Sequence, residues 1–332
     1  MRRVLVTGAT GFVGQHLCPA LLAAGFAVRG IYRKSPTRGA WPGAMEWMQV
    51  PDIGPETEWT GVLQGVDYVV HLAGLAHRTG AKDDGLKEAF DHVNARGTAK
   101  LVDAVRRSQV ARLVFISSAK VLPAQGTNKT GVFPDSNYGR SKLAAEGAIS
   151  EGLAGCATDW CTLRPCLVYG PGNLGNMARL ICLINTGLPL PFASIRNQKS
   201  FLYVGNLISA IQLVLIHPAA SRRTFTLSDG EPVSTPELLF RLGHYARHRV
   251  RLFPMPVGMM QAVALLGDRV KEWTGISIGW DSYSVDRLCS SLTVDGREFF
   301  EELDWIPPYT AEEGMRITMT GGSPEPSWPT KA

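Results

Sequence analysis

Residues 4–14 read Val4-Leu5-Val6-Thr7-Gly8-Ala9-Thr10-Gly11-Phe12-Val13-Gly14, and this stretch decides the fold class. Its first apolar residues predict a short buried strand, and Gln15 to Ala24 carries apolar residues at helical spacing. The glycines between them allow a tight turn, a close approach of the backbone to a pyrophosphate, and close packing of the helix on the strand. A strand, a glycine turn and a helix in this order indicate a dinucleotide-binding unit, with the phosphates at the helix amino terminus.

Composition limits the class of protein. The chain has 332 residues, 45% of them hydrophobic and 19% charged, which suits two domains or one domain with a large lobe. The net charge of +5 is spread without long basic runs, so we expect no nucleic-acid partner. The six cysteines form no Cys-x-x-Cys pair, and no apolar run approaches the ~18 residues of a membrane span. These features, with the lack of a signal peptide, predict a cytoplasmic α/β enzyme with no metal site and no membrane insertion.

The end of the second strand bears on the choice of cofactor. Ala27 to Tyr32 predicts this strand, and Arg33 and Lys34 follow it where an acidic residue would bind the ribose hydroxyls of NAD. A basic residue there accommodates the extra phosphate of NADP, so NADP(H) is favoured and NAD(H) is the alternative. The same two residues could also be solvated loop charges. After a third strand, Met45 to Val50, Asp52 could accept a hydrogen bond from adenine or simply cap the next segment.

Two further strands end in residues suited to a ligand. The strand Asp67 to Gly74 closes with Leu72-Ala73-Gly74, whose small residues let a cofactor pass close to the backbone. His71 is interpreted as a satisfied strand-end residue, not a catalyst. The strand Arg112 to Ser117 is followed by Ser118, at the edge where open α/β sheets bind ligands. Between them, Lys87 to Ser108 predicts one long helix.

The run Tyr138-Gly139-Arg140-Ser141-Lys142 places a tyrosine and a lysine one helical turn apart. An ammonium nearby, together with the positive nicotinamide ring, would stabilise the phenolate and lower the pKa of Tyr138. Ser118 would hydrogen-bond the same substrate oxygen. Tyr-x-x-x-Lys is also common as a surface pair, but its position after a nucleotide turn and a strand-end serine favours catalysis.

Together these motifs resemble the extended short-chain dehydrogenase/reductases, which include nucleotide-sugar epimerases, dehydratases and reductases. The resemblance runs in register to about Pro308 and rests on Thr7–Gly14, His71–Gly74, Asn94, Ser117-Ser118, Tyr138–Lys142 and Leu163–Gly172.

The resemblance implies an α/β fold with a Rossmann-type doubly wound parallel sheet and a smaller carboxyl-terminal substrate lobe. The Rossmann domain would comprise residues 1–168 and 199–228, the nucleotide-sugar lobe residues 169–198 and 229–320, and residues 321–332 would be a disordered tail. Relatives form homodimers through the helix of Lys87 to Ser108 and the helix that bears Tyr138, and the same homodimer is expected here.

The resemblance also implies the site residues. The catalytic group would be Ser118, Tyr138 and Lys142, with Lys142 also holding the nicotinamide ribose. The cofactor would contact Gly8, Thr10, Gly11, Phe12, Val13, Gly14, Arg33, Asp52, Ile53, Leu72, Ala73, Gly74, Asn94, Tyr138, Lys142 and Pro165. A UDP-sugar substrate would contact Ser118, Lys120, Asn176, Lys199 and Arg287. Lys199 replaces an arginine of the family and so lacks its bidentate fork, and Arg287 could equally be a helix-end surface charge.

The motifs predict the reaction less directly than they predict the family. Dehydratases of the family carry an Asp-Glu pair after the catalytic residue, and Ala119-Lys120 stands there instead, so dehydration is not expected. Ser118-Ala119-Lys120-Val121 and Gly187 to Pro191 resemble a bacterial subgroup with both UDP-N-acetylquinovosamine-forming reductases for surface polysaccharides and proteins labelled UDP-glucose 4-epimerase. We predict reduction of a UDP-4-keto-6-deoxy-N-acetylhexosamine, with a 4-epimerase of UDP-glucose or UDP-N-acetylglucosamine as the alternative. A non-catalytic dinucleotide-binding protein is a remote third, because such proteins usually lose the Tyr-x-x-x-Lys pair.

Overall fold

The structure is a computed structural model that describes residues 1–34, 44–76, 83–123, 134, 136–173, 176–246, 248–274 and 281–322. Within these ranges, seven strands form one sheet in the order β3-β2-β1-β4-β5-β6-β9, and every neighbouring pair is parallel. The strands are β1 (Arg3–Thr7), β2 (Ala27–Tyr32), β3 (Glu46–Gln49), β4 (Tyr68–His71), β5 (Arg112–Ile116), β6 (Asp159–Pro165) and β9 (Arg223–Leu227). The strand order reverses beside β1, and the predicted Rossmann-type sheet is confirmed.

Helices cover both faces of this sheet, as the continuous burial of β4 and β5 requires. On one face α1 packs on α6, and on the other α3 packs on α4. The helices are α1 (Phe12–Ala23), α2 (Asp83–Phe90), α3 (Gly97–Arg106), α4 (Asn137–Gly152), α5 (Asn176–Asn185), α6 (Val204–Ile216), α7 (Thr235–Gly243), α8 (Val257–Thr274), α9 (Ser282–Cys289), α10 (Arg297–Glu302) and α11 (Ala311–Thr320). Among the helices of the described ranges, none combines the length and the apolar character that a bilayer crossing requires.

The single long helix predicted from Lys87 to Ser108 is wrong in detail. A π-helical turn, Asp91–Arg96, separates α2 from α3. Such turns carry an extra residue and occur often at functional sites. Here the turn carries Asn94, whose side chain is buried at 1% exposure.

The second half of the chain adds a small parallel sheet of β7 (Leu167–Tyr169) and β8 (Phe201–Tyr203). Asn206 joins this region to the end of the chain, since its Nδ2 donates to Asp229 Oδ1 at 2.7 Å and to the Tyr309 carbonyl at 2.9 Å. Burial raises the pKa of Asp229 to about 6, and the hydrogen bonds that its carboxylate accepts from Asn206 Nδ2 and from the Tyr203 amide oppose that rise. Residues 323–332 of the expected tail lie outside the described residues.

Replacing Gly14 with alanine tests the close packing of α1 on β1. A Cβ at Gly14 would lie 2.4 Å from the carbonyl oxygens of Gly8 and Ala9, which are backbone atoms that cannot move aside. We expect Gly14→Ala to lower the free energy of unfolding by about 1–3 kcal/mol, measured by urea denaturation.

The matched control is Gly258→Ala, which also lies in the first turn of a helix, with no described atom within 4 Å of its added Cβ. It should leave stability unchanged or raise it by up to about 1 kcal/mol, because alanine favours the helix. Equal stability of the two variants would contradict the packing argument.

Candidate active site

The glycine turn between β1 and α1 brings the backbone of two strands together. Gly8 has a φ of +70°, and a Cβ there would lie 2.8 Å from the amide nitrogen of Ala73. Only glycine adopts this conformation without strain and leaves that space. The turn therefore lies directly against the Leu72-Ala73-Gly74 segment that follows β4.

The backbone amides in the first turn of α1 point out of the amino-terminal end of the helix. Gly11 is the N-cap and offers no capping side chain, and the first turn contains no acidic residue. Helix geometry leaves the N–H groups of Phe12, Val13 and Gly14 without intrahelical acceptors. These groups and the helix dipole favour an anion such as a pyrophosphate, with Thr10 exposed beside them.

A cavity of about 380 Å³ lies beyond the ends of β2 and β3. Its lining includes Arg33, Asp52, Glu88 and His92. Asp52 Oδ2 lies 3.1 Å from His92 Nε2, and Glu88 pairs with Arg96. Arg33 suits a phosphate on the adenosine ribose, whereas Asp52 suits a neutral hydroxyl or amino group, so the lining contains a side chain suited to each dinucleotide.

The proposed catalytic hydroxyls meet at the carboxyl edge of the sheet. Ser118 follows β5, and its Oγ accepts a hydrogen bond from the Lys120 amide at 3.2 Å. Tyr138 lies in the first turn of α4, which begins where Ser136 Oγ accepts from the Gly139 amide at 3.1 Å. The Tyr138 hydroxyl is hydrogen-bonded to Ser118, and its ring packs edge-on against Phe90. The structure therefore brings together the serine and tyrosine that the sequence singled out.

Lys142 lies one turn further along α4 and is 4% exposed. Its Nζ donates to the Ile116 carbonyl at 2.9 Å and lies 4.6 Å from the centroid of the Phe115 ring. Burial lowers the pKa of Lys142 to about 8, while the nearby Glu146 carboxylate acts in the opposite direction. The Lys142 side chain is thus held at the end of β5. Its protonated form is stabilised by the Ile116 carbonyl, the Phe115 ring and the Glu146 carboxylate.

Burial raises the pKa of Tyr138 in the protein without a dinucleotide. The hydrogen bond from Ser118 offsets only part of that rise. The lowering expected from the sequence includes the positive charge of the nicotinamide as well as that of Lys142, so it stays a prediction for the dinucleotide-bound protein.

Glu146 and Arg164 form a pair that the sequence analysis missed. Arg164 Nε donates to Glu146 Oε1 at 2.9 Å, and the Glu146 side chain is 9% exposed. Glu146 follows Lys142 by one turn and so lies on the same face of α4. The i, i+4 spacing from Lys142 was a signal for Glu146, but the partner on β6 required the folded chain.

His71 links β4 to the π-helical turn through buried hydrogen bonds. The Thr98 hydroxyl donates to the Asn94 carbonyl at 2.6 Å, so it accepts from His71 Nε2 at 3.0 Å. His71 Nδ1 then accepts from the Thr7 hydroxyl at 2.6 Å, and that hydroxyl accepts from the Ala73 amide at 3.1 Å. Burial, with a smaller effect of Lys142, lowers the pKa of His71 to about 3. As predicted, His71 is a satisfied strand-end residue, neutral at physiological pH.

Asn94 holds the loop that follows β4. Its Oδ1 accepts from the Leu75 amide at 2.7 Å, and its Nδ2 donates to the Leu75 carbonyl and to Ser141 Oγ, both at 3.0 Å. A Cβ at Gly74 would lie 3.1 Å from Asn94 Oδ1 and from Lys142 Nζ. This space, the open amides of α1 and the adenosine-side cavity together fit a bound dinucleotide.

The residues assigned to the substrate lie in the second half of the chain or in the turn after Ser118. Lys199 is 8% exposed, and its Nζ donates to the carbonyls of Arg287 at 2.6 Å and Leu288 at 3.0 Å. Burial lowers the pKa of Lys199 to about 8. The structure therefore brings Lys199 and Arg287 together, with the lysine ammonium at the carboxyl end of α9. Asn176 begins α5, and its side chain lies outside the description.

The remaining predicted contacts follow strand ends. Leu72 is half-buried, Ile53 is buried against Gly97, and Pro165 ends β6. Lys120 lies in a short 3-10 turn, Ala119–Val121, with its Nζ 5.9 Å from the centroid of the Tyr138 ring. All of them lie on the carboxyl side of the sheet strands or in the connections that follow. Within the described ranges, no group of three or more His, Cys, Asp or Glu residues is placed to hold a metal ion.

Comparison with known proteins shows the family. The profile described as "NAD dependent epimerase/dehydratase family" matches residues 4–227. This protein belongs to that family. The match covers more than half of the chain and includes the glycine turn, the Ser118 region and the Tyr138–Lys142 pair. The protein is accordingly an enzyme of this family, with a pyridine dinucleotide as its cofactor.

Curated relatives match nearly the whole chain. A UDP-glucose 4-epimerase from Vibrio cholerae is 32% identical over 326 residues, which cover 96% of this chain and 94% of that protein. An N-acetyl-alpha-D-glucosaminyl-diphospho-ditrans,octacis-undecaprenol 4-epimerase from Escherichia coli O157:H7 is 26% identical, covering 95% of this chain and 94% of that protein. The resemblance therefore includes the second half of the chain.

Solved structures of the family share the fold. UDP-N-acetylglucosamine 4-epimerase from Bacillus cereus superposes with a TM-score of 0.72 at 20% identity, covering 96% of this chain and 99% of that one. The NAD complex of UDP-glucose 4-epimerase from Thermus thermophilus also gives 0.72, at 22% identity and with 96% and 98% coverage. At this identity the similarity concerns the fold.

The buried ammonium of Lys142 predicts a pH dependence of stability. Its folded pKa of about 8 lies below the model-compound value of 10.5, so between these pH values the unfolded chain binds more protons than the folded chain. Stability therefore rises with pH in this window, by about 3 kcal/mol from this group. Lys142→Met should remove that rise, measured by urea denaturation at pH 7 to 10.5.

The control is Lys87→Met, because Lys87 is exposed on α2. That variant should retain the wild-type pH profile. Burial of Lys199 also makes stability rise with pH, equally in wild type and in both variants. The difference between the pH profiles of stability therefore reports on Lys142 alone. If the stability of Lys142→Met depended on pH as that of wild type does, burial of the Lys142 ammonium would not lower the free energy of unfolding.

Proposed function

We propose that this enzyme transfers hydride at C4 of a UDP-linked sugar, and that 4-epimerisation is the reaction. The observation that carries the proposal is the Tyr138 hydroxyl, hydrogen-bonded to Ser118 and one helical turn from the buried Lys142. These groups lie at the carboxyl edge of a sheet whose glycine turn fits a dinucleotide. Such an arrangement supports removal and return of a proton at a secondary alcohol.

The residues would act as follows. Bound nicotinamide supplies the acceptor and donor of hydride. Tyr138 Oη takes the proton of the C4 hydroxyl and later returns it, and Ser118 Oγ hydrogen-bonds the same sugar oxygen. The Lys142 ammonium, held by the Ile116 carbonyl, stabilises the phenolate by its charge. Asn94 fixes the loop after β4, in which Gly74 lies close to Lys142 Nζ.

The order of the two candidate reactions changes from the one the sequence favoured. The match with the V. cholerae 4-epimerase over nearly its whole length supports epimerisation for this chain. The reductase of UDP-4-keto-6-deoxy-N-acetylhexosamine is the second candidate, supported by Arg33 in the adenosine-side cavity. Arg33 would bind the phosphate of NADPH, an exchangeable reductant that an epimerase does not need.

The diphosphate is the group that candidate substrates share. The E. coli relative is named for a sugar joined through a diphosphate to undecaprenol, so the carrier differs while the diphosphate is retained. Arg287 would lie on this diphosphate, and Lys199, whose Nζ donates to the Arg287 carbonyl, would add positive charge beside it. The homodimer stays a prediction, for which the exposed Leu143 and Ala144 on α4 supply apolar surface.

Identification of the retained dinucleotide distinguishes the two reactions. The purified protein is denatured, and the released nucleotide is identified and quantified by chromatography and mass spectrometry. We expect near-stoichiometric NAD, because an epimerase regenerates its cofactor within each cycle. The protein should then interconvert UDP-glucose and UDP-galactose, or their N-acetylated forms, without added nucleotide. Protein that arrives empty and binds NADPH better than NADH would instead support the reductase.

Replacing Tyr138 with phenylalanine tests the proton transfer. We expect kcat to fall by about 10²–10⁴-fold, because a general acid–base group contributes this much. Binding of the dinucleotide, measured by calorimetry, should change little. A control is Tyr245→Phe, which removes a hydroxyl that contacts Glu312 on the surface and should leave kcat unchanged. Full activity of Tyr138→Phe would remove Tyr138 from the mechanism.

A further inference from the structure

Helix α8 presents an apolar face to solvent. Met259, Val263, Leu266 and Val270 are 57%, 45%, 65% and 42% exposed, and they follow one another at intervals of four, three and four residues. This spacing places them on one side of the helix. Single exposed apolar residues are ordinary, but a continuous row along a helix of 18 residues is not.

A different side of α8 packs on the protein. Met260 and Ala264 are fully buried, and α8 lies against α9. The exposed row is therefore a second apolar surface, separate from the one that the fold needs. The chain enters α8 through Phe253, which is itself 40% exposed and adds to the apolar character of this region.

The net charge of α8 and of the residues before it indicates which kind of partner the exposed apolar face would bind. Residues 241–274 carry six basic and two acidic side chains, a net charge of 6 − 2 = +4, whereas the whole chain carries +5. Asp268 is half-buried and accepts a hydrogen bond from the Ser282 amide at 3.2 Å, so it is turned towards α9. Arg249, Arg251 and Arg269 are exposed. The basic residues are Arg241, Arg247, Arg249, Arg251, Arg269 and Lys271, and the acidic ones are Asp268 and Glu272.

A second copy of the chain fits this face poorly. In a two-fold interface the same surface meets itself, so two stretches of +4 would be brought together. An anionic surface has the complementary charge. Exposed apolar side chains beside arginines match the boundary between acyl chains and phosphate headgroups, where the apolar groups insert and the arginines remain with the phosphates.

We propose that the face of Met259, Val263, Leu266 and Val270 on α8, with Arg249, Arg251 and Arg269 near it in the chain, docks on the surface of an anionic lipid bilayer. The attachment is peripheral and reversible, since α8 lies along the headgroup layer. Apolar insertion and electrostatic attraction each supply part of the binding, so neither is sufficient alone.

Docking would bring the substrate lobe to the bilayer. Gln261 Nε2 of α8 donates to Asp286 Oδ1 of α9 at 3.4 Å, and the next residue, Arg287, is one of the proposed diphosphate ligands. The docking helix is thus packed directly on the helix that carries this ligand. If the proposed function holds, the site would lie close to sugar diphosphates attached to membrane lipids. The docking itself does not depend on which sugar is used.

Vesicle flotation tests the proposal without any assay of activity. The full chain is mixed with vesicles of phosphatidylcholine alone, or of phosphatidylcholine with phosphatidylglycerol, and floated on a density gradient. We expect binding to the anionic vesicles and little to the neutral ones. The binding should weaken as salt is raised, because salt screens the attraction between exposed arginines and headgroups.

Variants assign the binding to the face. Val263→Ser combined with Leu266→Ser should lower the partition coefficient at least about tenfold, since two apolar side chains no longer insert. Arg249→Ser combined with Arg251→Ser should remove the preference for anionic lipid. The matched control is Ile306→Ser, because Ile306 is 82% exposed but lies outside this face. Circular dichroism melting should show that all variants retain the wild-type Tm.

Three outcomes would overturn the proposal. Wild-type protein that does not float with anionic vesicles shows that the face does not bind a bilayer. Unchanged flotation of Val263→Ser/Leu266→Ser shows that another surface binds. The third outcome combines two results: wild type does not bind vesicles, and light scattering after size exclusion shows that wild type is oligomeric whereas this variant is not. That result would assign the face to a second copy of the chain.

Discussion

A lysine ammonium buried at the end of a parallel sheet is the constraint around which this structure is arranged. Lys142 has one carbonyl acceptor, from Ile116, one aromatic face, from Phe115, and one nearby carboxylate, from Glu146. Burying a charge is costly unless such partners are in place. Each of them comes from a different position in the chain: the end of β5, the strand itself and the next turn of α4. Arg164 on β6 in turn holds Glu146, so two neighbouring strands and one helix are fixed relative to the ammonium.

The opposite wall of the site is held by neutral hydrogen bonds. Asn94 and His71 connect the π-helical turn, the end of β4 and the glycine turn after β1 through Thr7 and Thr98. The Thr98 hydroxyl can donate only one hydrogen bond, and it donates to the Asn94 carbonyl, so His71 Nε2 must carry a proton. His71 Nδ1 is then the acceptor for the Thr7 hydroxyl. The loop from Ala73 to Leu75 is therefore held at a defined distance from Gly8. Gly8 on one side and the Lys142 ammonium on the other border the space that we propose for the dinucleotide.

Two polar side chains find their partners within the second half of the chain. The Lys199 ammonium donates to the carbonyl groups at the end of α9. Asn206 donates to the Asp229 carboxylate and carries no charge itself. The sequence predicts that Lys199 stands in place of a family arginine, and a lysine keeps the positive charge while it lacks the bidentate fork. Residues 241–274 add a net charge of +4 to the same half of the chain.

The sequence by itself determined the Rossmann-type sheet, the glycine turn and the candidate residues Ser118, Tyr138 and Lys142. These features depend on local patterns: apolar strands of a few residues, glycines required by close backbone contact, and two side chains one helical turn apart. Only the tertiary structure decided that Asn94 lies in a π-helical turn, that Arg164 pairs with Glu146, and that burial raises the pKa of Tyr138. The exposure of the apolar row on α8 was likewise decided by packing, because sequence periodicity does not tell which of two apolar sides of a helix is covered. Such properties depend on which distant segments meet, and on how much water they exclude, and neither is encoded in local spacing.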